Sequence, residues 1–98
     1  MPSPFTPSTD DVRKLAISGQ VAADPDYHGW DHGFRFEDIV LLLRYCFRVE
    51  PDYRPENPTG FVATCWTWER RRVRVDFNLG ESAEGKPVIL VVTAMEVT

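Results

Sequence analysis

Two cysteines in 98 residues, Cys46 and Cys65, are too few for a disulfide framework, and they lack the close spacing of a zinc knuckle or a redox pair. They read as buried, reduced thiols. Long apolar runs are missing too: the longest, at 39–43 and 88–92, fall far short of the roughly 20 residues that a bilayer-crossing helix needs. Residues 1–7 have no basic-then-apolar layout of a signal peptide, so the chain is expected to stay in the cytoplasm and to have no membrane partner. Positive charge is in deficit, with eleven Lys and Arg against fifteen Asp and Glu and a net charge of −4. That balance opposes an affinity built on neutralising many phosphates and leaves any nucleic-acid role to a local patch. Nothing in the chain matches a phosphate-cradling glycine loop, a serine elbow or an internal repeat, and no cofactor is expected.

What is present is an ordinary globular balance, 43% apolar and 27% charged, in a length that suits one hydrophobic core. Three prolines make residues 1–9 a flexible lead before a single α+β domain at 10–98. A first helix is expected over 10–22. Ser8 or Thr9 accepts at its start, Asp10 and Asp11 face the positive end of its dipole, and Val12, Leu15, Ala16 and Ile17 form its apolar stripe. Gly19 weakens its last turn and Pro25 enforces a stop. Phe36, Ile39, Val40, Leu43 and Cys46 recur at helical spacing behind Glu37 and Asp38, which marks a second helix.

Beyond Tyr45 the period becomes two. An edge strand is expected over 47–53, ahead of Pro55, Asn57 and Pro58, followed by strands over 61–68, 71–79 and 88–97 joined in sequential order. In the middle strand Val73, Val75 and Phe77 face the core, and Arg72, Arg74, Asp76 and Asn78 face water. A tight Glu69-Arg70 turn of even length puts Trp66 and Trp68 on the core side, whereas a three-residue turn reverses them. The last strand is apolar on both faces and belongs inside the sheet or under a cover.

The succession His32-Gly33-Phe34-Arg35-Phe36-Glu37-Asp38-Ile39, a helix, Arg72-Val73-Arg74-Val75-Asp76-Phe77 and Val91-Val92-Thr93-Ala94-Met95 resembles the family catalogued as domain of unknown function 4258. The resemblance covers residues 27–97. It departs where the family carries an early histidine, since this chain has Ala23 and Asp24 there and His28 lies closer, and where the family has arginine before the glycine this chain has His32. The resemblance implies a RelE-like or colicin-like ribonuclease scaffold: N-terminal helices packed on one face of a curved, four-stranded, mainly antiparallel sheet, with RNA as a substrate.

Two clusters offer chemistry. His28, His32 and Arg35 are the candidate catalytic residues, since cleavage of RNA needs a base, an acid and a cation for the developing phosphorane charge. The structural alternative makes Asp24-Pro25-Asp26 a turn, His28 and Trp30 pins for the loop, and Asp31 the cap of the second helix. A metal site on His28 and His32 lacks the motif that would recognise one, so no metal is expected. Arg70, Arg72, Arg74 and Trp68 form the second cluster, a candidate RNA-binding surface built on phosphate pairing and base stacking; the alternative is a solvated strand face. Two functions of different class follow: an RNA-directed ribonuclease or toxin domain, or a non-catalytic module that binds a partner protein or forms a homodimer through an exposed apolar patch or open strand edge.

Overall fold

In the computed structural model of the chain, residues 6–52 and 59–97 are described, Trp30 and Asp31 by their backbone alone. The start of the expected flexible lead, and Pro55, Asn57 and Pro58 after the edge strand, lie outside the described residues.

Helix α1 (Thr9–Ile17) begins with a reciprocal cap: the Ser8 hydroxyl accepts from the Asp11 N–H, and the Asp11 carboxylate accepts from the Ser8 N–H, each at 3.1 Å. The Ser8 N–H, followed by the hydroxyl, holds the Asp11 carboxyl below its usual range. The helix stops earlier than expected. Gly19 takes φ 74°, which lets the Gln20 N–H reach the Leu15 carbonyl at 2.9 Å and the Gly19 N–H reach that of Ala16 at 3.2 Å. Those two bonds satisfy the last free carbonyls and end the helix. The chain then enters strand β1 (Val21–Ala23), a segment whose alanines read as helix in isolation.

Helix α2 (Phe36–Leu43) has Glu37 and Asp38 in its first turn, as its dipole favours. Its N-cap residue is Arg35, in extended backbone with no side-chain hydrogen bond of its own; the expected cap, Asp31, has its side chain outside what is described. The sheet continues with β2 (Cys46–Pro51), β3 (Phe61–Trp66), β4 (Arg72–Glu81) and β5 (Pro87–Val97).

The sheet has five strands in the order β1-β5-β4-β3-β2, with β1 parallel to β5 and the other pairs antiparallel. This corrects the expected four-stranded, mainly antiparallel sheet to a five-stranded mixed one; the α+β class stands. The added strand is held by the Ile89 N–H on the Gln20 carbonyl and the Asp24 N–H on the Val91 carbonyl, both at 2.9 Å. With β1 in place, β5 has a neighbour on each side, which agrees with its doubly apolar sequence. Its register slips at one point: Asp76 pairs with Thr93 and Phe77 with Val91, leaving Val92 as a bulge whose carbonyl accepts from the His28 N–H at 2.9 Å. The slip keeps both Val91 and Ala94 in the core.

The β3–β4 hairpin closes on Thr67 and Arg71, whose backbones bond at 2.8 Å, around the three residues Trp68, Glu69 and Arg70. The odd count reverses the even-turn assignment. Cys65 pairs with Val73 in the core, while Trp66 pairs with Arg72 on the other face. Arg70 completes the loop at φ 62°, a left-handed conformation that a side chain resists. Arg70→Gly is therefore expected to stabilise the fold by about 1 kcal/mol, the relief of strain exceeding the added freedom of the unfolded chain. A urea midpoint that rises with an unchanged m-value is the measurement.

Both helices lie on one side of the sheet. Val12 and Ala16 of α1, with Ile39 and Leu43 of α2, close a core over Cys46, Phe61, Ala63, Cys65, Val73, Val75, Phe77, Ile89, Val91 and Ala94. No helix among the described residues is long and apolar enough to cross a membrane.

Candidate functional site

The residues singled out in the loop before α2 are brought together in part. The His28 and His32 rings stand 6.2 Å apart between centroids, and His28 Nδ1 is 2.9 Å from the Asp26 carbonyl. The Asp24 carboxylate accepts from the Asp26 N–H at 3.0 Å, which makes the expected turn. Tyr27 pins the loop by setting its ring edge-on to Phe36 of α2, at 5.8 Å. Arg35 is exposed at the helix start. Among the described residues no hydrogen bond or ion pair joins either histidine to Arg35, or to Arg70, Arg72 or Arg74, and no group of three or more His, Cys, Asp and Glu is placed to hold a metal ion.

The arginine cluster divides. Arg70 and Arg72 are exposed. Arg74 is engaged: its Nε donates to Asp76 at 2.7 Å and its second guanidinium nitrogen lies 3.7 Å from Asp52. Arg71 stands between Glu69 at 3.6 Å and Glu96 at 3.7 Å, and Arg48 lies 3.5 Å from Glu50. Polyanion binding needs cations with charge to spare, and three of these are already matched by carboxylates.

Neither thiol reaches solvent. Cys46 and Cys65 face each other across β2 and β3, fully buried. Burial raises the Cys46 thiol, with Arg13 pulling weakly the other way. Burial, and then the neighbouring Cys46, push Cys65 well above the usual thiol range. Both stay protonated at neutral pH.

A concave feature of the described surface lies elsewhere. A groove of about 670 Å³ runs between α2 and the β3–β4 hairpin. Leu41, Leu42 and Tyr45 form one wall and Trp66 and Trp68 the other, with Val73 between them. Gly33 and Phe34 bring the end of the histidine loop to its margin. Trp68 is 95% exposed at the hairpin tip. Trp66 is held from outside by Phe47, which stacks on it at 5.1 Å and 21°. Of the eight exposed large apolar side chains among the described residues, five (Leu41, Tyr45, Phe47, Trp66 and Trp68) belong to this one patch. The groove also holds Asp38, Glu69 and Glu96, with Arg71 as the cation among them.

Of this site, Trp68 stands out in the sequence as a candidate base-stacking residue, although the even-turn reading places it on the core side; Leu41 and Tyr45 do not stand out. Their signal was available: they are four apart on α2 and its continuation, off the stripe of Phe36, Ile39 and Leu43, so they had to face away from the core.

No family model, no curated protein and no solved structure matches the chain.

Proposed function

We propose that the chain is a non-catalytic protein-association module of the cytoplasm that works through the groove between α2 and the β3–β4 hairpin. The observation that carries this reading is the concentration of exposed aromatic and aliphatic side chains there, capped by a tryptophan with almost no cover. Small proteins rarely leave a contiguous patch of this kind uncovered, and tryptophan and tyrosine dominate the energetics of protein interfaces. Two free, buried, protonated thiols suit a reducing compartment. The ribonuclease reading has less to support it: among the described residues no hydrogen bond or ion pair ties its histidines to its arginines, and Arg74 is bound up with Asp52 and Asp76.

The test is a selection of random displayed peptides on the purified protein, with counter-selection on Trp68→Ala and emission of the groove tryptophans as the readout. Enriched peptides are expected to carry an apolar anchor, to bind in the micromolar range, and to lose about thirtyfold in affinity against Trp68→Ala. Single-stranded RNA is expected to leave the emission unchanged and to remain intact. The reading fails when no peptide distinguishes wild type from variant, and the ribonuclease reading replaces it when RNA is cut by wild type and spared by His28→Ala/His32→Ala.

A further inference from the structure

We propose that the occupant of the groove is a second copy of this chain, in a two-fold dimer that sets the β3–β4 hairpin tip of each protomer into the groove of the other; the proposal rests on the groove reading above.

The β3–β4 hairpin is the element that makes the match. Its residues do two jobs: Trp66 and Trp68 wall the groove, and Trp68 also projects from the tip with 95% of its surface in water. A side chain that is both wall and projection lets one patch serve as socket and plug, which is the requirement of an isologous interface. Across the dimer, each Trp68 covers Leu41 and Tyr45 of the facing protomer, and the apolar surface that is open in one chain is closed in two.

Charge makes the same match. The groove holds Asp38, Glu69 and Glu96 against Arg71 alone. Arg71 is already placed between Glu69 and Glu96, so the groove has an acidic excess. The tip and the strand just beyond it add the opposite sign: beside Glu69, which tip and groove share and which Arg71 already faces, Arg70 and Arg72 are exposed, and among the described residues neither makes an ion pair. Acidic groove and basic tip lie on one molecule, side by side, and a two-fold rotation lays each on its complement twice. A net charge of −4 on each protomer disfavours association in general. A contact that overcomes it has to set opposite signs together, as this one does. An unrelated partner would have to supply both the aromatic plug and the basic flank; the chain already has them.

Sedimentation equilibrium over a wide concentration range decides the matter, with circular dichroism as the control for folding. The wild type is expected to dimerise reversibly, and Trp68→Ala to weaken the dimer about thirtyfold. Reversing the groove with Asp38→Lys, or the tip with Arg72→Glu, is expected to weaken self-association about tenfold each. Mixing these two variants is expected to restore it, because the reversed groove then meets the reversed tip and the native groove the native tip. A wild type that stays monomeric at every concentration yet binds a selected peptide overturns the dimer and leaves the groove reading standing. One that stays monomeric and binds no peptide removes both. A dimer that persists undiminished in Trp68→Ala overturns the proposal by locating the contact on another surface.

Discussion

Replacing Phe77 by alanine is expected to cost about 4 kcal/mol of stability. Phe77 is fully buried on β4, and β4 has hydrogen-bonded neighbours on both sides. Its ring meets that of Phe61, its register partner on β3, at 5.6 Å and 32°, and its partner on β5 is the buried Val91. The substitution removes an aromatic ring from a position where strands on both sides limit collapse, so the transfer loss and the cavity term add. A domain of this size has a total stability on the order of 5–15 kcal/mol, and each lost kcal/mol lowers the melting temperature by roughly 4–8 °C. The variant is expected to be folded only marginally at physiological temperature. Urea unfolding gives the measurement: the midpoint falls while the m-value holds, and Phe77→Leu recovers most of the loss. A loss below about 1 kcal/mol would mean that the site collapses and that the sheet is more pliable than its pairing suggests.

Phe77 also marks where the sequence was most readable. The alternation Val73, Val75, Phe77 against Arg72, Arg74, Asn78 gives β4 and its core face directly, because the period of two has no rival interpretation over that length. The apolar spacing behind Glu37 and Asp38 gives α2 its start for the same reason. The elements that were misread are those decided by one residue. β1 is three residues long, and the sequence Val-Ala-Ala prefers helix until Gly19 ends α1 and the edge of β5 offers hydrogen bonds. The hairpin turned on parity: with Thr67 and Arg71 as the closing pair, three loop residues remain, and Trp66 changes face. That reversal created the site. Trp66 and Trp68 in the core would have left α2 facing an ordinary packed sheet, whereas outside it they wall a groove with Leu41 and Tyr45. The histidine loop was legible as a turn, and the chemistry attached to it depended on convergence over distance, which local patterns do not encode.

The face expected to be wet holds the second large effect. Asp76 and Thr93 are register partners opposite the helices, and they are 1% and 3% exposed. Asp52, at the end of β2, is buried with them. Arg74, its side chain 28% exposed, reaches both carboxylates, at 2.7 Å and 3.7 Å. Asn78 continues the polar row by donating to Asp24 at 3.2 Å. Arg74→Leu is expected to destabilise the fold by about 3 kcal/mol, since it removes one charged partner from two carboxylates that have little access to water. The cost of stranding a charge exceeds the net worth of the pair, so the double variant Arg74→Leu/Asp76→Leu is expected to regain much of the loss, with a coupling of about 2 kcal/mol in the double-mutant cycle. Chemical denaturation of the four proteins supplies the cycle. A single-variant loss below about 1 kcal/mol would show that other groups carry the two carboxylates, and additive losses would separate Arg74 from Asp76. The expected result ties the arginine to the architecture: Arg74 stands between Arg72, which remains in water at the hairpin, and the buried carboxylates of the polar row. One strand thus gives one of its arginines to stability and leaves the other exposed at the hairpin.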